Sequence, residues 1–113
     1  MFLAAGLLSL AAPGEAHAAA PCSGRKVRTL HFSTGQVQVF KNRGYVCAVT
    51  LPKRTGKRQW MSVSVQARGS RPVLNRGSFR RYAGPVTVHA GHRRIWIRGI
   101  VGRDDVSSGW VRC

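Results

Sequence analysis

The sequence predicts an all-β protein, a small antiparallel β-sandwich or barrel of about eight short strands, preceded by a signal peptide. Three observations carry that expectation. After Ala20 no stretch keeps the 3.6-residue apolar period of a helix; short runs of β-branched and aromatic residues recur instead, separated by Gly, Pro, Asn and Ser. Several of these runs alternate between apolar and polar residues, as strands with one buried face do. The opening segment, MFLAAGLLSLAAPGEAHAAA, differs in composition from everything that follows it.

That segment, residues 1–20, reads as an export signal. Met1 to Ala12 is uncharged and rich in Leu and Ala, Pro13-Gly14 breaks the run, and Ala16-His17-Ala18 offers small residues at alternate positions. Cleavage is expected after Ala18, because cleavage after Ala20 would leave Pro21 as the first residue. The apolar run is shorter than the roughly 20 residues that span a bilayer. No Lys or Arg precedes it, so Met1 is expected to fall within a slightly longer leader. Ala20-Pro21 ahead of Cys22 is not a lipobox, and lipid anchoring is not expected. Residues 21–113 then form one secreted, extracellular domain.

Along that domain the expected strands are Lys26–Phe32, Gln36–Lys41, Tyr45–Leu51, Trp60–Ala67, Ser78–Tyr82, Pro85–Ala90, Arg94–Ile100 and Ser108–Cys113. Turns are marked by Ser33-Thr34-Gly35, Asn42-Arg43-Gly44, Gly69-Ser70-Arg71-Pro72 and Gly102-Arg103-Asp104-Asp105. Met61, Val63 and Val65 share one face of their run and Ser62, Ser64 and Gln66 the other. Val37 and Val39 alternate with Gln36 and Gln38 in the same way. In Arg94–Arg98 the two arginines share a face with Trp96, while Ile95 and Ile97 point away. Trp96 is therefore expected on a basic, solvent-facing side.

The charge is extreme. The chain carries 19 Lys and Arg against 3 Asp and Glu. With Glu15 in the leader, the mature domain sets all 19 basic residues against Asp104 and Asp105, a formal charge of +17. Its partner, if it has one, is anionic. Outside a cell that means teichoic acid, phospholipid headgroups, acidic polysaccharide or extracellular nucleic acid. Export also bears on the three cysteines, Cys22, Cys47 and Cys113: an oxidising compartment favours one disulfide with one thiol left over.

Little in the chain points to catalysis. Asp104 and Asp105 are adjacent and sit in a turn-like stretch, so they cannot flank one bond as an acid–base pair. His31, His89 and His92 remain in the mature chain, and a small basic ribonuclease using His89 or His92 is the enzymatic alternative, without a spacing that singles out a pair. There is no Cys-x-x-Cys, no His-x-x-x-His and no acidic cluster, so neither a metal nor a cofactor is expected. No serine lies in Gly-x-Ser-x-Gly. The residual signal is basic: Pro52-Lys53-Arg54-Thr55-Gly56-Lys57-Arg58 running into Trp60, Arg80-Arg81 before Tyr82, and His92-Arg93-Arg94 leading to Trp96. Arg54, Lys57, Arg58, Arg80, Arg81, Arg93, Arg94 and Arg98 are the expected anion contacts. A secreted cationic antimicrobial or toxin-like protein acting on phospholipid is the other rival.

Val46-Cys47-Ala48-Val49-Thr50, the Ser-rich run at Met61–Gln66, Gly77-Ser78-Phe79, Tyr82-Ala83-Gly84-Pro85-Val86-Thr87-Val88, Ile95–Gly102 and the closing Cys113 together resemble the small secreted spore-associated proteins of streptomycetes. The likeness covers most of the mature chain, and Tyr82–Val86 is its most specific piece. It implies a secreted all-β domain associated with aerial hyphae and spores, of no established biochemical activity. Two departures stand out: members of that family commonly carry a fourth cysteine where this chain has Arg94, and they are far less basic. The family pattern implies first-to-second and third-to-fourth pairing, hence a Cys22–Cys47 bond here and an orphan Cys113 facing Arg94. Cys22–Cys113 or Cys47–Cys113 would need a rearranged pairing. An orphan thiol of this kind suits a disulfide-linked dimer.

Overall fold

Alternation along the strands becomes the two faces of two sheets. In a computed structural model of the protein, residues 22–113 are described; the leader expected over residues 1–20 lies outside the described residues. Eight strands follow one another: β1 (Arg25–Phe32), β2 (Gly35–Asn42), β3 (Tyr45–Pro52), β4 (Gln59–Ala67), β5 (Val73–Phe79), β6 (Ala83–His89), β7 (Ile95–Val101) and β8 (Asp104–Val111). They form two four-stranded antiparallel sheets, ordered β1-β2-β3-β6 and β5-β4-β7-β8. The protein is a small β-sandwich.

The tight turns follow from local chemistry. Asn42 pairs with Tyr45 across Arg43 and Gly44, both with positive φ (52° and 84°), as a two-residue loop matched to strand twist requires. Val101 pairs with Asp104 across Gly102-Arg103, where Gly102 takes φ 68°. The sheets face each other through Val37 and Val39 of β2, Val46 and Ala48 of β3, Met61, Val63 and Val65 of β4, and Ile95, Ile97 and Val101 of β7, all buried. The alternating pattern assigns Val37, Val39, Met61, Val63, Val65, Ile95 and Ile97 to a single face; Val46, Ala48 and Val101 join them through the fold.

β3 differs from the others in being buried on both sides. Val46, Ala48 and Thr50 face the opposing sheet, whereas Cys47 and Val49 lie on the outer side with Phe40. The stretch before β1 covers that outer side: Cys22 is buried there and is bonded to Cys47. Leu51 and Tyr82 pack against the same small cluster. The disulfide thus closes a second apolar layer that a sheet with one wet face would lack.

Two strands lie elsewhere than the sequence suggests. β5 runs Val73–Phe79 rather than Ser78–Tyr82, through Asn75-Arg76-Gly77, which have low strand propensity. It is an edge strand whose only ladder is with β4, helped by Gly84 N–H donating to Asn75 Oδ1 at 2.8 Å, and pairing overrides propensity there. β8 begins at Asp104, so the two aspartates are strand residues and not turn residues. Ser33 Oγ donates to Asp104 Oδ2 at 2.5 Å, and Arg98 pairs with Asp105 at 3.2 Å, which offsets the poor fit of Asp in a strand. The register of β7 and β8 also corrects the expected meeting of residue 94 with Cys113. Ile95 pairs with Val111, so its continuation places Arg94 opposite Arg112.

One interior group is unsatisfied. Thr50 is fully buried, and its Oγ1 has no hydrogen-bond partner. A buried hydroxyl left unpaired is costly, so the nearly isosteric Thr50→Val should stabilise the fold by about 1 kcal/mol. Chemical denaturation of the two proteins measures the difference, and a destabilised variant would mean that the hydroxyl is paired after all.

Candidate functional site

In an antiparallel sandwich, loops of alternate connections gather at the same end. The β3–β4 loop and the β5–β6 loop meet in this way. Gly56 N–H donates to Arg80 O at 3.0 Å, Arg80 Nη1 returns a bond to Gly56 O at 3.0 Å, and Arg58 Nη1 donates to Ser78 O at 3.3 Å. Gln59 Nε2 fixes the start of the same loop through Arg54 O at 2.7 Å. Arg54, Lys57, Arg58, Arg80 and Arg81 are therefore brought to one end of the molecule, and all are exposed. Two separate sequence clusters become one basic surface.

Arg93 and Arg94 lie at the opposite end, in the β6–β7 connection. Arg93 is a tie between loops. Its guanidinium donates to Ala90 O, Arg68 O, Ser70 Oγ and His89 O at 3.2, 3.2, 3.0 and 2.6 Å, locking the β4–β5 turn to the β6–β7 turn. Its donors are largely committed to the protein. Arg94 is exposed beside it, and Arg112 Nη1 donates to His92 O at 3.1 Å, bringing another guanidinium to the same end. Arg98 belongs to neither end: it stands on the outer face of β7, half exposed, in its ion pair with Asp105. Both acids of the domain are thus engaged, Asp104 by a hydroxyl and Asp105 by a guanidinium. Asp104 follows the β7–β8 turn, which Gly102 N–H ties to Trp60 O at 2.8 Å, so one carboxylate stands at the same end as the five basic residues.

Among the described histidines, His31 lies near the β1–β2 turn, at the other end of the sandwich from His89 and His92. His89, on β6, packs edge-on against Tyr45 with ring centroids 4.8 Å apart, and His92 lies in the following turn. No three His, Cys, Asp or Glu side chains come together among the described residues. Cys22 and Cys47 form the disulfide, leaving Cys113 as a free thiol. Cys113 is half-buried against the core and borders an open cleft with Lys41, Ala90, His92 and Arg112, its carbonyl accepting a bond from Lys41 Nζ at 2.7 Å. A disulfide-linked dimer through Cys113 is the expectation to test. Non-reducing electrophoresis tests the point: a dimer band abolished by Cys113→Ser supports the linkage, and monomer with one titratable thiol removes it.

Sequence reading placed Trp96 on the outer, basic side, and the structure agrees. It did not single out Trp110, Arg68 or Arg76. Trp96 and Trp110 meet edge to face at 5.5 Å, and the Arg68 guanidinium lies 5.4 Å from the centre of the Trp110 ring. The signal for Trp60 was available: it shares parity with Ser62 and Ser64, on the wet side of β4.

Fold and surface define a class, a disulfide-linked and strongly basic β-sandwich. No family model, curated protein or solved structure matches the chain.

Proposed function

We propose that this protein is a non-catalytic, secreted basic domain that attaches by charge to anionic polymers of the cell wall or spore surface. The observation that carries this reading is the convergence of Arg54, Lys57, Arg58, Arg80 and Arg81 on one exposed end, where they far outnumber the one carboxylate of that end, Asp104, itself held by Ser33. The Cys22–Cys47 bond is compatible with an extracellular location. Among the described residues no helix is long and apolar enough to cross a membrane. The likeness of Tyr82–Val86 and its surroundings to spore-associated proteins of streptomycetes is the ground for the spore surface in particular.

Contacts between exposed charges weaken as salt rises, since the screening length falls from about 30 Å at 0.01 M to about 8 Å at 0.15 M. Retention on isolated cell walls should therefore drop steeply over that range. The triple variant Arg54→Ser/Lys57→Ser/Arg81→Ser should be retained less at low salt, with unchanged thermal stability. Binding that ignores salt would sink the reading. Trp60, 49% exposed beside the basic loop, is the feature that favours the rival action on phospholipid. Dye leakage from anionic vesicles, at concentrations where wall binding saturates, would move the assignment to a membrane-active protein.

A further inference from the structure

All three tryptophans of the chain lie on one face, the outer side of the β5-β4-β7-β8 sheet. Trp60 precedes buried Met61 on β4, and Trp96 stands between buried Ile95 and Ile97 on β7. Trp110 of β8 is the cross-strand partner of Trp96. Trp96 in turn pairs with Gln66, at the far end of β4 from Trp60. Six residues of strand separate the Trp60 and Gln66 positions, about 20 Å. An exposed indole at one end therefore faces, along the strand, an indole pair capped by the Arg68 guanidinium at the other.

The ground between them is mixed, since Ile100 is one cross-strand partner of Ser62 and exposed Leu74 one of Ser64. Ser62 and Ser64 occupy the outward positions of β4. Arg76 is the cross-strand partner of Ser62 on one side, and Arg98 that of Ser64 on the other. Arg98 is 53% exposed and Asp105 48%, so their ion pair remains open to a ligand.

We propose that this face is a platform for a single extended acidic polysaccharide, a glycan bearing carboxylates. The proposal rests on the anionic-polymer reading above, and names both the polymer class and the surface that recognises it. Sugar rings present an apolar C–H face that lies against an indole, and hydroxyls that pair with Ser62, Ser64 and the Asp105 carboxylate. Guanidinium groups recognise carboxylates through paired, charge-assisted hydrogen bonds. Arg76 and Arg98 flank the path on either side, which suits a polymer charged along its length. Single-stranded nucleic acid fits less well. Its recognition uses aromatics on which successive bases stack, whereas here the indoles sit only at the two ends.

The test is a fluorescence and calorimetric titration of the mature protein with polygalacturonate, at physiological salt. A neutral polysaccharide and poly(U) serve as comparison polymers. Polygalacturonate should shift the tryptophan emission and bind at least tenfold more tightly than either. Trp60→Ala and the double variant Arg76→Gln/Arg98→Gln should each weaken it about tenfold, while melting temperatures confirm that both remain folded. Variants that bind within twofold of the parent overturn the platform. Poly(U) binding more tightly, with the same sensitivity to the variants, overturns the glycan assignment in favour of nucleic acid. If the platform variants have no effect but Arg54→Ser/Lys57→Ser/Arg81→Ser still lowers retention on walls, only the platform fails. If the protein binds neither walls nor polygalacturonate at low salt, the anionic-polymer reading fails with it.

Discussion

Replacing Cys22 and Cys47 together by serine is expected to lower stability by about 3.5 kcal/mol, the loop-closure value for a bridge of this span. The two residues are 25 apart in sequence, so the bond restricts a sizeable stretch of the unfolded chain. A domain of this size unfolds with a small entropy, and the loss corresponds to roughly 20 °C in melting temperature. The position of the bond adds a second cost. Cys22 is buried over the outer side of β3, with Phe40 and Val49 beneath it, and without the bond the segment before β1 is free to leave and wet that layer. Thermal melting of the double variant, or of the parent under strong reductant, measures the effect. A loss below about 1 kcal/mol would mean that the second layer holds Cys22 in place without the bond.

Gly99→Ala should cost about 3 kcal/mol, the upper end for overpacking a core. Gly99 lies in β7 directly under the Val37–Thr50 cross-strand pair of the opposing sheet. A methyl group there would fall 2.2 Å from Val37 Cγ2 and 2.7 Å from Thr50 Oγ1. Its backbone is not in the left-handed region, so the penalty is steric and not conformational. That separates Gly99 from Gly44 and Gly102, which serve their turns through positive φ. Combining Gly99→Ala with Val37→Ala should cost less than the sum of the two changes, since the second removes the nearer clashing atom. A double-mutant cycle reads the coupling, expected at about 1 kcal/mol or more. Additive costs would show that the sheets part to admit the methyl group.

The fold was legible wherever one face of a strand is buried and the other wet. Met61–Gln66 and Gln36–Val39 show this, because a side-chain period of two writes the burial pattern into the residue order. Two of the four edge strands, β5 and β8, were not. β5 contains Asn75-Arg76-Gly77 and β8 opens on two aspartates, and both owe their conformation to a neighbour distant in sequence. The buried outer side of β3 was hidden for a related reason. Cys47-Ala48-Val49-Thr50 is a continuous apolar run ending in a hydroxyl, and nothing local says what covers its second face.

For the surface, residue type was readable but grouping was not. Arg54–Arg58 and Arg80-Arg81 are obviously basic in sequence, yet their joining at one end depends on bonds between Gly56 and Arg80. Arg93 was marked as an anion contact by charge alone, whereas four acceptors from neighbouring turns occupy its guanidinium.

By itself, then, the sequence determined the strand-rich class, most of the buried face, the excess of positive charge and the small set of residues able to carry chemistry. These depend on composition and on periodicity along one chain. Only the tertiary structure decided which strands are edges, that Gly99 must be small, that Cys22 covers β3, and that three tryptophans share one face. Each of those depends on register between segments far apart in the chain, and a single residue of slip would turn every side chain to the other side.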